Sequence, residues 1–183
     1  MAGLEKPTKG SIEIHDKRID QMNEHQLAKF RQKNLGFIFQ SYNLLAALTA
    51  IENVSLPLTF RGISKKIRDK MSAKMLKNVG LEKYLKHKPT QMSGGQQQRV
   101  GIARAFASKP PIVFADEPTG NLDSKTTHEV MELMLEIANE NNQTIIIVTH
   151  DRSIAKYADK IVHILDGNIE KVEVRNRGEI YEA

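Results

Sequence analysis

Pro111-Ile112-Val113-Phe114-Ala115-Asp116-Glu117 is an apolar run that ends in two adjacent carboxylates. It reads as a strand carrying both acids out of a core. On either side the pattern repeats. Leu35-Gly36-Phe37-Ile38-Phe39 is a buried strand ending at Gln40, Thr144 to Val148 ends just before His150, and Ile161 to Leu165 is a further strand. Helices are expected between them: Ser93 to about Ser108, Ser124 to Asn141, and a short one near Asp151 to Ala158. Strands alternating with helices specify an α/β fold with a parallel sheet.

Earlier in the chain, Ser11 to His15 reads as β-prone and Asp16-Lys17-Arg18 as a turn. Asn23 with Gln26 forms a capping box opening a short helix through Phe30. From Thr49 to about Leu85 the pattern is helical: Thr49 and Glu52 make a second capping box, and Ile67, Met71, Met75, Leu76 and Val79 recur at helical spacing until Gly80. This segment is a helical insert between strands. Its basic run Lys65, Lys66, Arg68, Lys70 reads as a solvated face opposite the apolar stripe rather than a nucleic-acid contact. Asp166-Gly167-Asn168 signals a hairpin returning Ile169 to Val174, and 175–183 reads as a loose polar tail.

Composition narrows the classes further. The chain has 183 residues, 40% of them apolar and 27% charged, which suits one domain or one domain plus a small subdomain. Without cysteine there is no disulfide scaffold and no thiolate metal site. Met1 to Thr8 lacks the layout of a signal peptide, and no apolar run has membrane length, so the chain is expected not to cross a membrane itself. A net charge of +5 permits nucleic acid or anionic lipid as partner, but the basic residues are interspersed with 22 acidic ones.

Four features fall at strand ends or helix starts, where an open α/β sheet places its ligands. Asp116-Glu117 could be a plain acidic turn; as a functional pair, Asp116 holds Mg²⁺ through its water shell and Glu117 polarises a water attacking a γ-phosphate. In Met92-Ser93-Gly94-Gly95-Gln96-Gln97-Gln98-Arg99 an ordinary N-cap accounts for Ser93 and Gln96 but not for two helix-weakening glycines. Bare N–H groups at a helix's positive end form an anion site that glycine lets a phosphate approach. Gly120-Asn121-Leu122-Asp123 could be a turn with Asp123 capping the next helix. His150 alone would mean little, but it joins Gln40, Asp116 and Glu117 at one sheet edge.

Taken together these strings resemble the ATP-binding subunit of ATP-binding-cassette (ABC) transporters over essentially the whole chain. Gln40 resembles the Q-loop, Ser93 to Gln96 the signature motif, Asp116-Glu117 the Walker B pair, Asn121 to Asp123 the D-loop and His150 the switch histidine, all in the family's order. Met92 stands where the family usually has Leu. The wording Phe39-Gln40-Ser41-Tyr42-Asn43-Leu44 and Asp116 to Ser124 is most similar to the branch exporting lipoproteins, macrolides or antimicrobial peptides. The resemblance implies a P-loop-NTPase-like, mainly parallel sheet with helices on both faces plus a helical subdomain. The ATPase core is then 1–40 with 91–183, and 41–90 is the helical, permease-contacting insert. It further implies ATP and Mg²⁺ as cofactors, with Gln40 beside Asp116 at the metal. Implied partners are an integral-membrane permease and a second ATPase subunit, and the implied location is cytoplasmic, on the inner face of the cell membrane. Nucleic acid is not expected.

The family's Walker A loop, G-x-x-x-x-G-K-[ST], should precede these motifs. None of the eleven glycines is followed by lysine. Gly3 to Gly10 resembles the stretch just after the Walker A helix, so the chain is expected to begin where that helix ends. Losing three charge-assisted hydrogen bonds to phosphate removes roughly 4.5–9 kcal/mol, or about 10³–10⁶ in affinity, so this chain alone is expected neither to bind ATP measurably nor to hydrolyse it. Ser93, Gly94 and Gly95 could still complete a site on an intact partner. The family's Walker A strand lies between the strands at Thr144–Val148 and Ile161–Leu165, and without it a rearranged sheet or self-association through the exposed apolar edge is expected. Two other readings compete. A chromosome-maintenance or repair ATPase would carry long coiled coils, which are absent; a non-catalytic half would only lend its signature helix to a partner.

Overall fold

Near the start of the chain His15 and Asp16 both take left-handed backbone, at φ 49° and 59°. Two such residues form the tight turn that matches strand twist, so β1 (Glu13–Ile14) and β2 (Lys17–Arg18) pair antiparallel, Ile14 opposite Lys17. The sequence reading placed Lys17 and Arg18 in the turn. Non-glycine residues at positive φ shorten that turn to two positions and release both residues into a strand. A 3₁₀ turn at Ile19–Gln21 follows. Next comes α1 (Glu24–Asn34), started by the expected box: Asn23 Oδ1 accepts the Gln26 N–H at 2.9 Å and Gln26 Oε1 accepts the Asn23 N–H at 2.9 Å.

β3 (Leu35–Phe39) leads to the helical insert, α2 (Ala50–Phe60) and α3 (Lys65–Asn78). Glu52 reaches back at the start of α2, accepting from both the N–H and the Oγ1 of Thr49 at 2.8 and 2.6 Å. The insert is two helices, and each ends on a glycine. Gly62 N–H bonds Thr59 O and Ile63 N–H bonds Leu58 O; Gly80 N–H bonds Lys77 O and Leu81 N–H bonds Leu76 O. Both glycines have positive φ, so these are paired Schellman closures. Short 3₁₀ turns at Glu82–Tyr84 and Pro89–Gln91 lead into α4 (Gly94–Phe106), β4 (Ile112–Asp116), α5 (Ser124–Glu140) and β5 (Thr144–Val148).

The structure, a computed structural model, describes residues 2–175. It divides into two units, Met1–Val148 and Thr149–Ala183. In the first, β3, β4 and β5 form a parallel sheet in that order. Side chains alternate across it. Ile38, Val113 and Ala115 face a core shared with α2, α3, α4 and α5, while Leu35, Phe37, Ile112 and Phe114 join Ile19, Leu27 and Phe30 on the α1 side. Helices therefore cover both faces, as expected. Among the described residues no helix is long and apolar enough to cross a membrane.

The second unit holds a 3₁₀ turn at Arg152–Tyr157 and an antiparallel hairpin, β6 (Lys160–Leu165) with β7 (Asn168–Val174). Among the described residues β5 is hydrogen-bonded only to β4, and β6 only to β7. Most of the expected tail, 176–183, lies outside the described residues.

The sheet can seat α4 closely only because position 36 is glycine: a Cβ there would stand 2.6 Å from the Ala105 carbonyl oxygen and 3.1 Å from Pro110 Cγ. Backbone cannot yield as a flexible side chain does. Gly36→Ala should therefore cost about 1–3 kcal/mol, read as a lower urea midpoint at unchanged m-value.

Candidate functional site

The ladder sets the geometry of the site. Phe39 pairs with Asp116, and Asp116 pairs with Val148, so three strands stop at the same level. Asp116 is exposed at the carboxyl end of the central strand and Glu117, next to it, is half-buried. Glu117 turns the chain sharply at φ 43°. That left-handed backbone is held from two sides: the Glu117 N–H bonds Val148 O at 2.9 Å, and Glu117 O accepts from the Gly120 N–H at 3.2 Å.

Gln40 leaves β3 beside this turn. Its carbonyl accepts from Asn121 Nδ2 at 2.9 Å, and its side chain lies on Gly120, where a Cβ would come within 2.6 Å of Gln40 Nε2. Gly120-Asn121 is thus more than a turn, because it is keyed to Gln40. Asp123 begins α5, one oxygen accepting from the Thr126 N–H at 3.0 Å and the other from Thr126 Oγ1 at 2.7 Å. These bonds hold its carboxyl below the usual carboxylate range.

Ser93 caps α4, accepting from the Gln96 N–H at 3.3 Å, while Gln96 Oε1 accepts from the Ser93 N–H at 2.9 Å. The two glycines have reasons inside the fold as well. A Cβ on Gly94 would stand 2.8 Å from the Tyr42 hydroxyl, and one on Gly95 would stand 3.1 Å from Thr126 Cγ2.

Sequence reasoning missed the groups that tie these parts together. Arg104, on α4, donates to the carbonyls of Tyr42 at 2.9 Å and Asn43 at 2.5 Å, and burial pushes its pKa down from the guanidinium's ordinary value. Tyr42 and Asn43 both have positive φ, and no local sequence signal announces it. Gln98 is fully buried and donates through Nε2 to the Pro118 carbonyl directly after the acid pair. Asn53, also fully buried, accepts from the Leu45 N–H at 2.8 Å and donates to the carbonyls of Leu45, Leu48 and Thr49, which fixes the loop after Gln40.

The structure therefore brings Gln40, Asp116, Glu117, Asn121, Ser93 and Gly94 into one connected region of the first unit. His150 lies in the second unit, two residues past β5, and is exposed. Asp151 beside it accepts from the Ser153 N–H at 2.8 Å to start the following turn.

A parallel sheet covered on both faces, with an acid pair at its carboxyl edge and a glycine-opened helix beside it, belongs to the open α/β class that places its ligands at that edge. The chain belongs to the ABC transporter family, whose pattern matches residues 1–120, and it is an ATP-binding subunit of that family. It is 44% identical over 174 residues to an uncharacterized ABC transporter ATP-binding protein of Methanocaldococcus jannaschii, covering 93% of this chain and 74% of that one. A lipoprotein-releasing system ATP-binding protein, LolD of Legionella pneumophila, is 43% identical over 169 residues, covering 92% and 74%. The dimeric structure of the ATP-binding cassette MJ0796, in a post-hydrolysis state bound to ADP and Pi, superposes with a TM-score of 0.87 at 42% identity. That match covers 96% of this chain and 77% of the other.

Arg104→Met keeps the packing stem and removes both bonds to the loop after Gln40. Charge-assisted bonds of about 1.5–3 kcal/mol each put the expected loss at about 2–4 kcal/mol once the freed carbonyls find water. Amide exchange should quicken at residues 42–45, with little change in α5.

Proposed function

We propose that the carboxyl edge of β3, β4 and β5 is the hydrolytic half of an ATPase site. The register that aligns Phe39, Asp116 and Val148 carries this reading. Mg²⁺ suits the edge, because an exposed carboxylate and a neighbouring amide oxygen are hard donors that leave positions for water and phosphate. When bound, Mg²⁺ neutralises charge on the β- and γ-phosphate oxygens. Asp116 would hold the ion through its water shell, with Gln40 beside it. Glu117 polarises the attacking water, and its turn, fixed between Val148 and Gly120, sets the carboxylate's direction. His150 takes the part of the switch histidine.

Ser93, Gly94, Gly95 and Gln96 face a nucleotide held by a second ATPase subunit. The cap uses the Ser93 and Gln96 N–H groups of this helix start. Asp123 fixes the turn at that same interface through its cap on α5. The permease seats on the insert. A groove of about 370 Å³ lined by Phe37, Phe39, Leu56, Pro57, Phe60 and Arg104 also reaches Asn43, in the loop after Gln40, so an occupant would contact that loop. Transport is export, of a lipoprotein, macrolide or peptide class of substrate, and the working location is the inner face of the cell membrane. Self-association through the free side of β5 belongs to the same reading.

The 183 residues hold no glycine-lysine pair, and this favours a second reading for the chain acting alone. It lends its signature helix to an intact partner without completing a site of its own. Calorimetric titration of this chain with Mg·ATP should then give no resolvable heat, and a micromolar Kd would overturn the inactivity.

The metal edge is checked separately, with Mn²⁺ alone as a paramagnetic probe. Amide resonances of residues 39–41, 115–117, 119 and 120 should broaden first, and Asp116→Ala should abolish the effect. Unchanged broadening in that variant would remove Asp116 from the metal site.

A further inference from the structure

The charge of this molecule is concentrated in one place. Between Arg61 and Lys88 there are ten Lys/Arg and two carboxylates, Asp69 and Glu82, whereas the rest of the chain has 17 Lys/Arg and 20 Asp/Glu. The modest net charge hides a strongly basic insert on an otherwise acidic body.

On α3 the basic residues form a stripe. Lys66, Lys70, Lys74 and Lys77 are all exposed and fall within an arc of about 80° at 3.6 residues per turn, extending about 16 Å along the axis. Ser72, Met75 and Leu76 on the opposite side are buried. Lys83 and Lys86 continue the exposed series beyond the helix. One ion pair relieves it, Lys77 with Glu82 at 3.5 Å, and both partners are about two-thirds exposed, so that pair is weak. Lys65 and Lys88 lie to one side, near Glu52.

Apolar surface accompanies the stripe. Ile67 is 55% exposed along its edge. The two arginines of the segment are committed to backbone: Arg61 donates to Ser108 O and Lys33 O, and Arg68 donates to Ile63 O. The exposed cations are thus lysines, point charges on long stems, without the guanidinium forks that reading a nucleic acid uses.

We propose that this face, the α3 lysine stripe with Ile67 along its edge, rests on an anionic lipid bilayer. Lysine clusters flanking exposed apolar side chains are what an anionic headgroup layer attracts, each basic residue adding to the attraction within a Debye length. The lipid contact itself does not depend on the nucleotide-site reading.

Sedimentation with vesicles tests this. The full chain should pellet with vesicles of phosphatidylglycerol and phosphatidylcholine in roughly equal amounts, and stay in solution with phosphatidylcholine alone or without vesicles. Binding at about 0.01 M salt, where the Debye length is about 30 Å, should be lost at about 1 M, where it is about 3 Å. Replacing Lys66, Lys70, Lys74 and Lys77 by Gln should lower partitioning about 10²–10³-fold, at about five-fold per lysine. The same four changes at exposed Lys9, Lys17, Lys29 and Lys125 should lower it far less. Ile67→Ser should weaken the part that survives intermediate salt. Circular dichroism and Tm of each variant verify folding, and the pair Lys70→Gln with Lys74→Gln carries the test if the quadruple variant unfolds. Equal loss from both lysine sets, or binding to a single-stranded oligonucleotide with none to anionic vesicles, overturns the proposal.

Discussion

Parallel pairing with Phe39, Asp116 and Val148 in register is the constraint on which the rest of the structure depends. Evenly spaced, slanted bonds between parallel strands fix where each strand stops as well as where it lies. Because the three stop together, the segments leaving β3 and β4 must share one edge, and chemistry carried on separate parts of the chain meets there. A one-residue slip would send Asp116 to the wrong face as well as the wrong level. The positive φ of Glu117 is tolerable for the same reason. A non-glycine residue in that region costs on the order of 1–3 kcal/mol, and it persists here because its N–H extends the ladder to Val148 while its carbonyl closes the turn on Gly120. The strain and the register are one feature.

α4 transmits that register outward. Along a single helix Gly94 meets Tyr42, Gly95 meets Thr126, Gln98 meets Pro118, and Arg104 meets Tyr42 and Asn43. The helix start therefore cannot shift independently of the loop after Gln40, of the start of α5, or of the turn behind the acid pair. Two explanations of the glycine pair then coexist. Inside the fold glycine keeps clear of the Tyr42 hydroxyl and the Thr126 methyl, and the same bareness leaves backbone at the helix start accessible from outside.

Local signals were legible in the sequence. The Asn23–Gln26 and Ser93–Gln96 boxes, the glycine stop at Gly80 and the apolar strand runs each depend on residues within a few positions, and all formed as expected. What stayed hidden was long-range or conformationally unusual. Arg104 finds backbone carbonyls 61 and 62 positions away, and a carbonyl has no side-chain signature to search for. Asn53 and Gln98 read as ordinary helix residues until burial shows that their amides are spent on a loop and a turn. The β1–β2 turn was misjudged because His15 and Asp16 supply the left-handed backbone that glycine usually announces. The run Lys65, Lys66, Arg68, Lys70 likewise read as a solvated face, and its continuation through Lys74 and Lys77 was not picked out.

β5 separates what a strand is from where it sits. Thr144–Val148 is wholly β-branched, and it contains no charge, proline or glycine, the usual devices that blunt an exposed edge. Its isoleucines are only half-buried and Val148 is 54% exposed, while its second row of backbone groups joins no ladder among the described residues. In composition this is an interior strand. Natural edges are charged or irregular because an open apolar row recruits any extended segment it meets, so β5 has the makeup of a strand paired on both sides. Charge follows the opposite logic on α3, where repulsion between aligned lysines keeps other basic surfaces away and leaves the face open to anions. Association through the sheet edge and attachment through the helical insert would thus respond oppositely to salt. Screening weakens the second and leaves the hydrogen-bonded first almost untouched.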